Sequence, residues 1–224
     1  MKERPILFSA PMVRAILDGS KTQTRRIVKP EKVFSPYLPY TNARFDERGN
    51  YCFDSGPNVH NHIGLSDPNI AKQWCPYSLC DGYDEAPGRL WVRETHLPKA
   101  SGTIYRADFS EFEAAGLGGM YGGWKPSIFC KREYSRITLE IVSVRVERLQ
   151  DISYEDALAE GVSDMTALLR DEWKPMEGES GNDCARRLRW PQRLYRQLWE
   201  SINGAGSWDV NPWVWCIEFK VMKL

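Results

Sequence analysis

SRITLEIVSVRVERL, residues 135–149, is the longest stretch of the chain with an unbroken β signature. Ile137, Leu139 and Ile141 share one phase of a two-residue repeat, and Val142, Val144 and Val146 take the other. A strand that changes phase midway implies a bulge or bend near Ile141–Val142, a device that curves a sheet towards closure. The C-terminal stretch predicts a second long strand, with Trp213, Trp215, Ile217, Phe219 and Val221 alternating with Val214, Cys216, Glu218 and Lys220. Shorter strands are expected at 4–8 (RPILF), at 21–28 and at 89–94 (RLWVRE), the last following the turn pair Pro87–Gly88.

Three helices are predicted around these strands. Pro11 suits a first helical position, Met12, Val13, Ala15, Ile16 and Leu17 form an apolar stripe, and Gly19 suits the left-handed residue that ends the helix. Ser153 to Asp156 is a variant capping box opening a helix that runs through Glu160 and stops at Gly161. Pro191 starts the third, at 191–203, with Leu194, Tyr195, Leu198, Trp199 and Ile202 on its apolar face. Two segments, about 31–88 and 100–130, carry Pro, Gly, Asn and aromatic residues without periodicity and are expected as long loop insertions. The run GLGGMYGG at 116–123 marks the tip of the second and lacks the strand–turn–helix setting of a phosphate loop. The pattern predicts one α+β, β-rich domain over 1–224, a small partly closed β-barrel with short helices.

Thirty basic residues balance thirty acidic ones in the 224-residue chain, which argues against bulk electrostatic attachment to nucleic acid but leaves room for a local basic patch. No apolar run is long enough to span a membrane, and the N-terminal residues show no secretory pattern. Six scattered cysteines fit a reducing cytoplasm. Nine tryptophans is a high count, and Trp74, Trp91, Trp124, Trp190 and Trp208 stand in polar surroundings. Such rings either fill a barrel core or offer a stacking surface.

The run GSKTQTRR, residues 19–26, concentrates the candidate chemistry. A lysine at position 21, directly behind a helix-ending glycine, can turn inward, lose pKa by desolvation and act as a base. Thr24 is a weak nucleophile until a neighbour takes its proton. Glu160 occupies the last turn of a helix, where its charge opposes the dipole at a cost of about 0.3–1 kcal/mol, and rules broken locally point to function. A solvated basic turn, and a nearby cation that neutralises Glu160, are the alternatives. In a regular strand Lys21 and Thr24 face opposite sides, so joint action requires an irregular backbone at 20–22. Cys52, His60, His62, Cys75 and Cys80 invite a structural zinc site, although their irregular spacing equally fits unpaired loop residues; no other cofactor is indicated. Arg186, Arg187, Arg189, Arg193 and Arg196 beside Trp190 suit either phosphate contact or a solvated helix face paired with the acidic stretch at 171–183. Asp151, Glu155 and Asp156 read as helix-start charges only.

The G-x-K-x-x-x-R pattern in GSKTQTRR resembles the signature of the ASCH domain, a relative of the PUA barrel. The blocks ILFSAPMVRAILDGSKTQTRRIVKP, PGRLWVRETH, SRITLEIVSVRVERLQDISYEDALAEGV and SINGAGSWDVNPWVWCIEFK are similar to a group of ASCH proteins common in phages and prophages, and together cover roughly half the chain. The resemblance implies recognition of RNA, single-stranded nucleic acid or a modified nucleobase in a cleft of the barrel, inside a bacterial host cell. Aromatic rings such as Trp91 would stack the base, while Arg25, Arg26 and Arg93 would meet phosphate or base edges. One small bacterial branch of the family hydrolyses N4-acetylcytidine with a lysine, a threonine and a glutamate. Lys21, Thr24 and Glu160 match those three, which makes an amidohydrolase the enzymatic alternative. A third expectation is docking onto a host protein through the two insertions.

Overall fold

The computed structural model describes residues 3–28, 41–47, 51–56, 59–63, 75, 88–99, 102–120, 123–162, 178, 180–181, 183–184 and 190–222. The chain is mixed α and β, with a five-stranded sheet as its largest element and few helices. In that sheet the strand order is β1 (Glu3–Leu7), β6 (Arg89–Arg93), β9 (Thr138–Arg148), β10 (Trp213–Val221) and β2 (Gln23–Ile27). Strands β1 and β2 are its two edges. Among the described residues no pairing joins them, so the sheet is open.

Two compact units divide the chain. One comprises Met1–Gly19, Tyr77–Val142 and Phe219–Leu224, the other Ser20–Pro76 and Ser143–Glu218. Strands β9 and β10 pass through both.

In the first unit β1 runs parallel to β6, from Glu3 opposite Arg89 to Leu7 opposite Arg93, and β6 is antiparallel to β9. Helix α1 (Ala10–Leu17) follows β1 and buries Val13, Ala15 and Ile16; Gly19, at φ +83°, takes the left-handed conformation that leads the chain away from it. The 100–130 segment departs from the expected loop. A hairpin of β7 (His96–Lys99) and β8 (Gly102–Tyr105) precedes helix α2 (Glu111–Met120), which absorbs much of the glycine run. The reason is a capping box. Ser110 Oγ accepts from the Glu113 N–H at 3.3 Å, and Glu113 returns its carboxylate to the Ser110 N–H at 2.9 Å.

In the second unit β2 and β10 are antiparallel, with Gln23 opposite Glu218 and Arg25 opposite Cys216. Helices α3 (Tyr154–Ala159) and α4 (Trp190–Asn203) pack on them. Leu149, Ile152, Ala157, Trp190, Leu194, Tyr195, Trp199 and Val214 belong to one buried cluster there. Ser153 caps α3 by accepting from the Asp156 N–H at 3.0 Å, and Gly161 closes it at φ +80°. The 31–88 segment also departs from a loop: β3 (Thr41–Phe45), β4 (Tyr51–Gly56) and β5 (Val59–Ile63) form an antiparallel sheet of their own.

The phase change of the opening stretch is visible in burial. Ile137, Leu139 and Ile141 are buried, Val142 is exposed, and the next buried residue is Val144. Strand β10 is covered on both faces from Val214 to Ile217, which an alternating apolar–polar pattern does not convey. Trp190 fills the core, Trp124 and Trp208 are half-buried, and Trp74 lies outside the described residues.

Candidate functional site

The backbone brings the start of β2 against the end of α3. Lys21 and Glu160 form an isolated antiparallel bridge, and the Thr22 N–H donates to the Ala159 carbonyl at 2.9 Å. Lys21 therefore precedes the regular strand, and its side chain turns inward. Its Nζ donates to Glu160 Oε2 at 2.8 Å, to the Glu160 carbonyl at 2.9 Å and to the Gln23 carbonyl at 2.8 Å. Those three bonds use every donor of an ammonium. Lys21 is 1% exposed and Glu160 3%. Burial pushes the Lys21 pKa below its ordinary value, against the opposing attraction of Glu160.

Arg25, two positions into the same face of β2, is equally buried. Its Nη1 donates to Gln23 Oε1 at 2.8 Å and to Glu160 Oε1 at 3.2 Å. Its Nη2 donates to Asp156 Oδ2 at 3.1 Å, and Nε and Nη2 both bond Glu147. Glu160 is thus held by two cations, one on each carboxylate oxygen. The array continues outward through Arg145, which donates to both oxygens of Asp156 at 2.9 Å, to Glu147 at 3.1 Å and to Glu218 at 2.5 Å. Ser143 also donates to Glu218, at 2.8 Å. Side-chain exposure rises along the array, from Lys21 at 0% to Arg145 at 28% and Glu218 at 40%. Burial pushes the Asp156 carboxyl up, but Arg25 and Arg145 outweigh it and hold the group below its usual value. Burial also pushes the Tyr195 hydroxyl and the Cys216 thiol up, so both stay neutral.

Of the proposed catalytic residues, the structure brings Lys21 and Glu160 into contact. Thr24 is buried, and its Oγ1 has no hydrogen-bond partner among the described residues. Strand alternation points it away from Gln23 and Arg25.

Arg25 is an interior ion, and every N–H of its guanidinium meets a protein acceptor. Arg26 is half-buried and donates to the Arg25 carbonyl at 3.1 Å. Trp91 and Arg93 belong to β6 in the first unit. Trp91 is buried beneath the Arg93 guanidinium, whose carbon lies 4.9 Å from the ring centroid, so the indole is a packed surface rather than an open platform.

Cys52 and Cys75 are buried, and Cys52 stands opposite His62 in the β4–β5 register. Cys80 and the side chains of His60 and His62 lie outside the described residues, among which no metal-holding group of His, Cys, Asp or Glu occurs. Residues 185–189 of the second basic run also fall outside; Arg196 pairs with Asp209 at 3.2 Å.

Sequence reasoning missed Gln23, Arg145, Glu147 and Glu218, and read Asp156 as a helix-start charge alone. The available signal was charge in phase: Arg145 and Glu147 on β9, Gln23 and Arg25 on β2, each pair two residues apart inside a strand.

Comparison with protein-family models, with curated proteins and with solved structures gives no match. The site therefore rests on its own geometry. It is a fixed array of donors and acceptors whose inner end is dry and whose outer end reaches water. No helix among the described residues is long and apolar enough to cross a membrane.

Proposed function

We propose that the chain recognises a nucleobase, free or within RNA or single-stranded nucleic acid, at the outer end of the Lys21–Glu160 array. The open sheet would be one wall of a partly closed PUA-like barrel of the ASCH type. The observation that carries this reading is the 2.8 Å ion pair between Lys21 and Glu160, which lie 139 residues apart and are the two residues the ASCH resemblance would draw into one cleft. At the rim, Arg145 donates four of its five N–H groups to Glu147, Glu218 and Asp156, which leaves one Nη1 N–H beside the carboxylate oxygens of Asp156 and Glu218 to meet the polar edge of a base. Lys21, Arg25 and Glu160 hold this rim from beneath. Such an array needs no rearrangement to accept a ligand of matching polarity.

A second reading, deacylation of an N4-acylated cytidine, draws on the same ion pair and on the unpartnered Thr24 hydroxyl. In this resting arrangement Lys21 is a saturated ammonium. It would have to lose a proton and become a neutral amine before it could take one from Thr24 or from water.

Titrating the full chain with cytidine, N4-acetylcytidine and short single-stranded RNA and DNA tests both readings. Recognition predicts saturable binding that Arg145→Ala weakens by about tenfold or more, the worth of one charge-assisted hydrogen bond. Absence of binding to all four probes sinks it. Release of cytidine that stops in Lys21→Ala, with the variant's unfolding curve still cooperative, favours the enzyme.

A further inference from the structure

The first unit contains a half-open groove of about 650 Å³, a size ordinary for small-ligand sites. Three aromatic rings line it: Trp124, Phe129 and Tyr134. One ring and the backbone of another are held by hydrogen bonds. The Trp124 indole N–H donates to the Ala114 carbonyl of α2 at 2.7 Å, and the Tyr105 hydroxyl donates to the Tyr134 carbonyl at 2.8 Å. The floor is fixed by paired backbone bonds between His96 and Lys125, at 3.1 and 2.9 Å. Phe129 differs, being 63% exposed beside an equally uncovered Ile128. An aromatic ring left in water at the mouth of a groove marks a binding surface.

Charge completes the description. Lys125 and Lys131 line the groove and are exposed, and among the described residues no carboxylate lines it. Glu133 lies 3.6 Å from Lys131 with both groups largely in water, a geometry that contributes little. Beneath the wall sits His96, fully buried with its ring centroid 5.5 Å from that of Tyr134. Its Nδ1 lies 3.0 Å from the Glu94 carbonyl, which can only accept, so Nδ1 carries a proton.

We infer that this groove is a binding site for a planar aromatic anion of the nucleoside monophosphate class. The ring would stack on Phe129 and Trp124, and the phosphate would lie between the Lys125 and Lys131 ammonium groups. Stacking needs flat, pre-set rings, and a compact phosphate suits point charges such as lysine. The site belongs to the other unit and stands independently of the Lys21–Glu160 reading.

The test titrates the full chain, labelled at its histidines, with adenosine monophosphate, adenosine and inorganic phosphate. The expected result is saturable binding of the monophosphate with a shift of the His96 ring resonances, because that ring stacks under Tyr134. Adenosine and phosphate alone should bind at least severalfold more weakly. Phe129→Ala, at an exposed position that leaves folding intact, should weaken the monophosphate by about tenfold. Lys125→Ala should weaken it severalfold and reduce its sensitivity to salt. The His96 ring lines this groove, so its resonances are the readout that separates binding here from binding at the rim of the ion-pair array. Three results overturn the inference: His96 resonances unmoved at saturating ligand, equal affinity for phosphate and for the monophosphate, or affinity unaffected by both Phe129→Ala and Lys125→Ala.

Discussion

Glu160 stands at the C-cap of α3, where the helix dipole opposes a carboxylate, and it is nonetheless 3% exposed. Lys21 and Arg25 explain how it is tolerated, one on each oxygen. Such a buried arrangement is far more sensitive to losing one member than to losing both. Glu160→Ala leaves two interior cations without their shared anion, and it should cost about 3–5 kcal/mol, read from the shift of a urea unfolding midpoint. Replacing Lys21 by Met and Glu160 by Leu together should recover most of that loss if the pair serves stability alone. A double variant that folds well yet fails to bind cytidine or single-stranded RNA would assign the pair to recognition. Glu160 was legible as a candidate because its charge opposes the helix dipole, and Lys21 because it directly follows a helix-ending glycine. The place of Arg25 was not, because Glu147, Asp156 and Glu160 lie 122, 131 and 135 residues further along the chain. An arginine in a short polar strand reads as a surface cation until its partners are known.

At the scale of elements, periodicity served α1, α4, β9 and β10, each with an apolar repeat, a capping box served α3, and glycines at left-handed angles follow the ends of α1 and α3. It failed at α2, whose ten residues include three glycines, each costing about 1 kcal/mol relative to alanine. Intrinsic preference counted against a helix, and Ser110 with Glu113 was the signal that outweighed it. Strands β3 to β5 are short and rich in polar residues, so no apolar alternation announced them. The turn residues between Gly56 and Val59 were the legible trace of that hairpin. A helix that depends on its cap should respond strongly when the cap is removed. Ser110→Ala should destabilise α2 by about 1 kcal/mol, seen as faster hydrogen exchange at amides 111–120. Because Ala114 holds the Trp124 indole, the same variant should broaden the environment of that ring. Unchanged exchange in α2 would mean that packing, not the capping box, sustains the helix.

For the whole molecule, the equality of thirty basic and thirty acidic residues is matched by where the cations are spent. Lys21, Arg25 and Arg145 face carboxylates in the ion-pair array, Arg136 faces Glu94 and Asp108, and Arg132 faces Glu3. A guanidinium already paired with a carboxylate in the fold gains little by exchanging it for a phosphate. Recognition of nucleic acid by this chain must therefore rest on base contacts and on one or two phosphates, not on a basic surface that tracks the backbone. That has a measurable consequence in salt. Each phosphate neutralised on a single strand contributes about −0.7 to the slope of log affinity against log salt concentration, so the slope for a short labelled oligomer should be no steeper than about −2. Fluorescence anisotropy over a series of monovalent salt concentrations measures it directly. A slope of about −5 or steeper would require many phosphate contacts. The cations to make them would include the arginines at 186, 187 and 189, outside the described residues, and base recognition at the rim would then be the wrong account of affinity.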